Sequence, residues 1–201
     1  MNQLNTMAQT WDDNPDRLKY SEAISAYIRS HSDKDQRLQA LEVGAGLGTL
    51  SVLLSDDFSR IDLIDRSVGM VEQMTRKLAE NHLYHLSPIE ENFQEYNPIK
   101  LYDVVYSAMF LHHVRIVGDV LKKIYDMTQT GGKFFLCDLY QEDGRFHPNT
   151  LEGVYHHGFD PDSIANHLKT LGFLINNIQT VYNYEKHDRL YPMFLIEATK
   201  Q

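Results

Sequence analysis

Cysteine, cationic charge and long apolar runs are all scarce in this chain, and each shortage excludes a class of protein. The 201 residues include one cysteine, Cys137, which cannot form an intramolecular disulfide and lies in an apolar run. We expect it to pack as a small core residue in a reducing cytoplasm. Lys and Arg number 19 against 28 Asp and Glu, a formal net charge of −9. Nucleic acid and anionic membranes are therefore disfavoured as partners, since both are bound mainly by cationic surfaces.

Membrane insertion is also unexpected. No segment approaches the ~18 consecutive apolar residues that a spanning helix needs. Residues 1–11 contain no Lys or Arg and no long apolar run, so nothing there resembles a secretory signal. These features predict a soluble, unprocessed, cytoplasmic protein, and the length is within the usual range for one domain.

Short apolar strands alternate with amphipathic helices through most of the chain. This alternation predicts a parallel sheet with helices on both faces. Strands are expected over 38–43, 60–65, 84–89, 101–107 and 133–139, and helices over 47–55, 67–81 and 116–127.

The two ends of the chain depart from this alternation. Asn14-Pro15 is a typical helix start, and the helix is expected to run to about Ser30. Asp160-Pro161 begins another helix, for which Gly172 is a suitable terminator. Two β-rich runs, about 173–184 and 191–199, flank a polar connection, which indicates an antiparallel pair at the sheet edge.

A glycine-rich turn, Leu41-Glu42-Val43-Gly44-Ala45-Gly46-Leu47-Gly48, joins the first strand to the next helix. Glycine lacks a Cβ, so the backbone can take positive φ there and lie close to a small molecule. Asp65 ends the second strand, where its carboxylate would lie beside the ribose hydroxyls of the same ligand. Together these features predict a nucleoside-bearing cofactor.

The glycine spacing favours one cofactor over others. A dinucleotide-binding turn requires Gly-x-Gly-x-x-Gly/Ala, but Thr49 stands at the last position and the third glycine comes one residue early. No Gly-Lys-Ser/Thr follows, as a nucleotide phosphate loop requires. Glu42 would repel a pyrophosphate but would attract an ammonium or sulfonium group. An NAD-dependent dehydrogenase is therefore the less favoured interpretation.

The turn resembles motif I of the class I S-adenosylmethionine (SAM)-dependent methyltransferases, apolar-x-Asp/Glu-x-Gly-x-Gly-x-Gly. The segments 102–114 and 130–134 resemble small-molecule enzymes of this class that are related to quinone-biosynthesis C-methyltransferases. The resemblance covers nearly all of residues 35–199. It implies an α/β fold with a doubly wound, Rossmann-like, seven-stranded sheet in the order 3-2-1-4-5-7-6 and strand 7 antiparallel. Residues 1–34 would then form a helical lid on a single domain, 1–201.

The resemblance implies that SAM is the cofactor and S-adenosylhomocysteine (SAH) its product. In this interpretation Asp65 accepts hydrogen bonds from both ribose hydroxyls, and Asn92 reads the adenine edge. The residues assigned to the cofactor lie in the glycine turn or just after strands two to four: Glu42, Gly44, Ala45, Gly46, Gly48, Asp65, Arg66, Met70, Asn92, Phe93, Ser107 and Ala108.

Several of these residues also have ordinary structural interpretations. Asp65 could instead be a charge before a helix that Ser67 caps. Met70 could belong to the core, on one face with Met74 and Leu78. Asn92 could be a turn residue.

Two histidine pairs follow strands four and five, at the edge where open parallel sheets bind ligands. His112, His156 and His157 are the candidate catalytic residues, and Trp11, Tyr20 and Tyr155 the candidate substrate residues. The alternative is that backbone or solvent satisfies each imidazole. No metal centre is expected, because adjacent histidines do not easily direct both rings at one ion.

The predicted function is methyl transfer from SAM to a small-molecule acceptor by direct in-line displacement. Strand four ends in Ser-Ala-Met-Phe, whereas amino-group DNA methyltransferases carry Asp/Asn-Pro-Pro-Tyr there. A SAM- or SAH-binding protein of the same fold without turnover, acting as a sensor or a partner subunit, is the alternative.

Overall fold

The structure is a computed structural model, and it describes residues 14–32, 38–147, 153–186 and 188–201. The prediction of a helical lid over residues 1–34 can therefore be compared with the structure only at 14–32. Trp11 lies outside the described residues.

A seven-stranded sheet forms the centre of the molecule, in the order β3-β2-β1-β4-β5-β7-β6. Strands β1 to β5 pair in parallel, whereas β7 is antiparallel to both β5 and β6. This confirms the predicted order and the antiparallel last strand. The strands are β1 (Gln39–Val43), β2 (Arg60–Asp65), β3 (Leu86–Glu90), β4 (Tyr102–Ala108), β5 (Thr128–Leu139), β6 (Phe173–Lys186) and β7 (Arg189–Lys200).

Three of the five described helices begin at side-chain caps. Asn14 accepts a hydrogen bond from the Asp16 amide, and Ser67 and Asp160 cap two later helices in the same way. Gly172 follows the last helix with φ 110°, the left-handed conformation that glycine adopts readily. The helices are α1 (Pro15–His31), α2 (Thr49–Leu53), α3 (Val68–Glu80), α4 (Val117–Met127) and α5 (Pro161–Leu171).

Three boundaries differ from the sequence prediction. Helix α2 is shorter than predicted, and a 3₁₀ turn at Ser55–Asp57 follows it. Strand β5 begins five residues earlier, because Thr128 pairs with Tyr102 ahead of a register shift. The polar connection before β7 is largely strand, since Lys186 pairs with Arg189. Hydrogen bonding between β6 and β7 here outweighs the weak β propensity of charged residues.

Both faces of the sheet are covered by apolar packing. Neighbouring residues of β5 show this, because Phe134 and Phe135 are both buried but belong to different core clusters. Cys137 is buried in the same cluster as Phe135, which confirms its predicted place in the core. Within the described residues, every helix is too short or too polar to cross a bilayer.

Candidate functional site

The turn between β1 and α2 lies close to its neighbours at Gly44 and Gly48. Gly44, Gly46 and Gly48 have φ values of 75°, 56° and 69°. A Cβ at Gly44 would overlap the Phe110 ring, and one at Gly48 would lie 2.9 Å from Cδ2 of Leu63. Gly44 therefore leaves room for the Phe110 ring. Gly48 allows α2 to pack on the sheet, which is a recognised role of the third glycine in such turns.

Asp65 connects the glycine turn to the start of α3. Its Oδ2 accepts the Gly46 amide at 2.8 Å, and its Oδ1 accepts the Ser67 amide at 2.8 Å. Burial raises the pKa of this carboxyl, and the two amide hydrogen bonds oppose that rise. The carboxylate thus stands before a helix that Ser67 caps and also faces a cavity, and its predicted contact with a ribose stays a prediction.

That cavity has a volume of about 330 Å³ and lies at the carboxyl edge of the parallel strands. This is at the lower end of the range for small-molecule pockets. Eight of the residues predicted from sequence contribute to its wall. Its lining comprises Gly44, Gly46, Ile64, Asp65, Arg66, Met70, Glu91, Asn92, Phe93, Gln94, Met109, Phe110, His113, Val114, Arg115 and Tyr155.

A second cavity, of about 70 Å³, lies on the other side of the glycine turn. Helix α1 supplies Arg17, Tyr20 and Ser21 to its wall, and Glu42 and Ala45 face it from the turn. Ala108 and Met109 complete it from the end of β4. Gly44, Gly46 and Met109 line both cavities, so the glycine turn and the end of β4 separate the two spaces.

Glu42 is almost fully buried beside the smaller cavity. It accepts a hydrogen bond from the Ser51 hydroxyl, which in turn lies 2.6 Å from the Tyr106 hydroxyl. Burial raises the pKa of Glu42 to about 8. A cationic group in the smaller cavity would favour the ionised carboxylate.

Three further residues assigned to the cofactor have structural contacts of their own. Ser107 donates its hydroxyl to the Val43 carbonyl at 2.9 Å and is buried. Met70 lines the larger cavity while packing against Leu47. Asn92 also lines that cavity, and its side chain accepts the Gln94 amide at 3.2 Å, as a turn residue does.

The histidines after β4 lie on a 3₁₀ turn, Leu111–His113, which directs the two rings differently. His112 is 1% exposed, and its Nδ1 lies 2.7 Å from Oδ1 of Asp138. His113 instead lines the larger cavity, and its Nδ1 lies 2.8 Å from the Gly153 carbonyl. The structure therefore places His113 at the cavity, whereas His112 is the candidate catalytic residue predicted from the sequence.

A third imidazole contacts this pair. His147 Nε2 lies 3.0 Å from His112 Nε2. Burial, together with the neighbouring His112, lowers the pKa of His113 to about 4 and that of His147 to about 3. Both rings are therefore neutral near pH 7.

The second predicted histidine pair, His156 and His157, lies next to the larger cavity but does not line it. His156 Nε2 lies 2.9 Å from the Val114 carbonyl, and His157 Nδ1 lies 3.6 Å from Glu142. Tyr155 reaches the larger cavity, with the Arg115 guanidinium 5.2 Å from its ring centre. Of this segment, Tyr155 is thus the residue that the structure brings to the site.

Sequence reasoning missed Phe110, His113 and Asp138. Met109 has φ 55°, unusual for a residue with a side chain, and this bend places Phe110 over Gly44. A local strain of this kind has no simple sequence pattern. Asp138 was detectable, because it is an acidic residue at the carboxyl end of an apolar parallel strand and is fully buried.

Residues 41–134 match the sequence model of a methyltransferase domain. This match covers a little under half of the chain, and together with the seven-stranded topology it supports a class I SAM-dependent methyltransferase. The structure of a SAM-dependent methyltransferase from Aquifex aeolicus superposes with a TM-score of 0.75, at 16% identity and over 98% of each chain. This likeness supports the fold.

Two curated relatives have named activities. Malonyl-[acyl-carrier protein] O-methyltransferase 1 of Ilyobacter polytropus is 33% identical over 128 residues, which are 63% of this chain and 46% of that protein. The ubiquinone biosynthesis O-methyltransferase of Rickettsia canadensis is 25% identical over 158 residues, 79% of this chain and 65% of that protein. The chain thus spans about half to two thirds of the length of these relatives.

Proposed function

We propose that this protein transfers the methyl group of SAM to an oxygen atom of a small acidic acceptor, a carboxylic acid or a phenol. The observation that carries the proposal is the composition of the larger cavity. One part of its wall comes from the glycine turn and Asp65, and another from Arg115 and Tyr155. Cofactor and acceptor would therefore meet in one space.

The residues present fit SAM. Gly44 and Gly46 have positive φ and line both cavities, so a ligand can lie against bare backbone on either side of the turn. Asp65 would accept the ribose hydroxyls through lone pairs that its two amide contacts leave free. Glu42 would face the ammonium group of the methionine portion from the smaller cavity, with the sulfonium methyl directed to the larger one.

The acceptor chemistry follows from the charges in the wall. Arg66 and Arg115 both line the larger cavity and would attract an anionic acceptor. Tyr155 offers an aromatic face that the Arg115 guanidinium already contacts. Both curated relatives described above are named as O-methyltransferases, in agreement with an oxygen acceptor.

When bound, SAM would supply an electrophilic methyl group to an ionised acceptor oxygen, with the C–O bond forming as the C–S bond breaks and SAH as the leaving group. The protein's own residues position the reactants. Arg115 and Tyr155 would orient the acceptor, and Phe110 would exclude water beside the glycine turn. A carboxylate acceptor is already ionised near pH 7, so it needs no general base.

Helix α1 is proposed to act as the lid of the smaller cavity. Arg17, Tyr20 and Ser21 of this helix supply one side of that cavity. In this arrangement Tyr20 would cover the methionine portion of the cofactor rather than the acceptor. This differs from its predicted role as a substrate residue.

The test is a transfer assay with SAM labelled in its methyl group, against small carboxylic acids and phenols, with primary amines as controls. Extraction of labelled ester or ether, lost on replacement of Arg115 by Ala, supports the proposal. Calorimetry with SAH and with NADH is run in parallel. SAH binding without transfer to any oxygen acceptor would favour the non-catalytic alternative, and NADH binding without SAH binding would overturn the cofactor.

A further inference from the structure

Three histidines converge at the wall of the larger cavity. One ring nitrogen from each of His112, His113 and His147 lies within 4.8 Å of the other two. The rings of His112 and His113 are centred 4.2 Å apart, and those of His112 and His147 4.9 Å apart. Neutral imidazole is a preferred ligand of Zn²⁺. We propose that these three histidines bind one divalent zinc ion, in addition to the cofactor and acceptor.

The hydrogen bonds behind the rings favour coordination. The Nδ1 atoms of His112 and His113 lie 2.7 Å from Asp138 Oδ1 and 2.8 Å from the Gly153 carbonyl. Both partners are acceptors, so each ring holds its proton on Nδ1 and presents the Nε2 lone pair. Metal-binding histidines characteristically donate their second ring nitrogen to a carboxylate or a backbone carbonyl in this way.

Asp138 is itself fixed in place. It is fully buried, and its Oδ1 also accepts the Leu139 amide at 2.7 Å. Its Oδ2 lies 3.3 Å from the His112 amide. The carboxylate therefore holds both the ring and the backbone of His112, as a positioning residue of a metal site does.

Adjacent histidines were expected not to share an ion, and the 3₁₀ turn changes that expectation. The turn places the rings of His112 and His113 at an interplanar angle of 45°, with both bonded through Nδ1. The Nε2 atoms of both rings thereby point away from these Nδ1 partners. His112 Nε2 shares a hydrogen bond with His147 Nε2, which zinc would replace once His147 holds its proton on Nδ1. The prediction of no metal rested on the adjacency of the histidines in the sequence.

His147 is held by the loop that follows β5. Glu142 accepts the amides of Arg145 and Phe146 at 2.8 and 3.2 Å. The Phe146 ring packs edge-on against Tyr184 and Tyr191, with centroids 5.2 Å away in each case. His147 follows this anchored residue directly, so its position beside His112 is built into the fold.

The distances are compatible with zinc after small side-chain rotations. Zn–N bonds of about 2.0–2.1 Å at tetrahedral angles separate ligand nitrogens by about 3.3 Å. The His112–His147 pair, at 3.0 Å, is already close to this value. The widest separation is at most 4.8 Å, so it must shorten by no more than about 1.5 Å.

Three protein ligands leave one tetrahedral position for another group, the arrangement of catalytic zinc sites. His113 lines the larger cavity, so this position would be reached from there. If the proposed function is correct, the acceptor oxygen could occupy it and would be acidified by the ion. The zinc site itself does not depend on that function.

The test measures Zn²⁺ binding to the tag-free, chelator-treated full-length protein, by competition with a chromophoric chelator and without SAM. One equivalent should bind with micromolar or stronger affinity, and Co²⁺ should give the intense visible absorption of a tetrahedral site. His113→Ala and His147→Ala should each lower the affinity at least tenfold. Asp138→Asn should lower it about 10- to 100-fold and shift the Co²⁺ spectrum. His157→Ala, a neighbouring exposed histidine, is the matched control.

Stoichiometric binding that falls in the three variants and not in the control would support the site. Binding weaker than millimolar, or binding that His113→Ala and His147→Ala leave unchanged, would overturn it. Urea midpoints of every variant show whether it is folded, and His113 and His147 are tested because neither is as deeply buried as His112. Zinc binding without methyl transfer would contradict only the proposed function, and methyl transfer without zinc binding only the metal site.

Discussion

Gly46 donates its backbone amide to Oδ2 of Asp65 at 2.8 Å, so this bond joins the glycine turn to the carboxylate at the end of β2. The same carboxylate accepts the Ser67 amide through Oδ1. The start of α3 is thereby fixed relative to the turn. A nucleoside bound here would meet a prearranged acceptor, and prearrangement lowers the entropic cost of binding.

Asp65→Ala is expected to weaken SAH binding by about 1.5–3 kcal/mol, the range for hydrogen bonds to a charged group, or about 10- to 150-fold. Stability should fall as well, because the Gly46 and Ser67 amides lose their acceptor, although burial of the ionised carboxyl offsets part of that loss. Calorimetry and ligand-free urea denaturation measure the two effects. Asp65→Asn keeps one acceptor oxygen and should be intermediate. Equal SAH affinity in all three proteins would contradict the assignment.

Gly44→Ala is expected to destabilise the protein for two separable reasons. The new Cβ would overlap the Phe110 ring, and φ 75° costs a residue with a side chain about 1–2 kcal/mol. Phe110→Gly should remove the first cost and leave the second, whereas Phe110→Ala would not, because Cβ of Phe110 itself lies 2.6 Å from the new Cβ. Urea denaturation of the two single variants and the double variant therefore gives a coupling of at least about 1 kcal/mol. Additive effects would show that the backbone conformation alone requires glycine.

The sequence predicts features of the fold that depend on the pattern of whole segments, but it does not predict features that depend on local turns and packing contacts. The strand order and the place of Asp65 follow from the alternation of apolar segments and from the topology that the resemblance implies. The choice between His112 and His113 does not, because a 3₁₀ turn decides which ring faces the cavity. Gly48 shows a related limit, since its place in the motif does not reveal that Leu63 and Met74 pack over it.

Glu42 is expected to make stability depend on pH. Its pKa is raised from 4.5 to about 8, so between these values the folded state retains a proton that the unfolded state has lost. The stabilisation is therefore complete below pH 4.5 and disappears as the pH rises through about 8. Each pKa unit corresponds to about 1.4 kcal/mol, so the loss is on the order of a few kcal/mol.

Glu42→Gln carries no ionisable proton and should lack this loss. The difference in unfolding free energy between wild type and Glu42→Gln is measured in urea at pH 5 and pH 8, and it should shift in favour of the variant at the higher pH. Glu72→Gln, at an exposed glutamate of α3, is the matched control and should run parallel to the wild type. If Glu42→Gln also runs parallel, Glu42 is ionised in the folded protein throughout this range.

Gly158→Ala should be among the most destabilising single substitutions near the site. A Cβ there would lie 2.6 Å from the carbonyl carbon of Tyr140 and 2.8 Å from the Leu139 oxygen, and these are backbone atoms that cannot rotate away. The contact matters because Phe159, the next residue, donates its amide to the Leu139 carbonyl at 2.9 Å. This bond joins the segment that carries Tyr155 to the end of β5.

Gly131→Ala is the control for Gly158→Ala, because the two glycines share a backbone conformation and differ in their surroundings. Their φ values are 80° and 75°, but a Cβ at Gly131 meets no atom within 4 Å. Gly131→Ala should therefore cost about 1–2 kcal/mol for its conformation alone, and Gly158→Ala at least about 3 kcal/mol. Urea denaturation of both variants measures the difference. Equal costs would mean that the segment after residue 153 can move off β5 freely, and that Tyr155 is not held at the cavity by this contact.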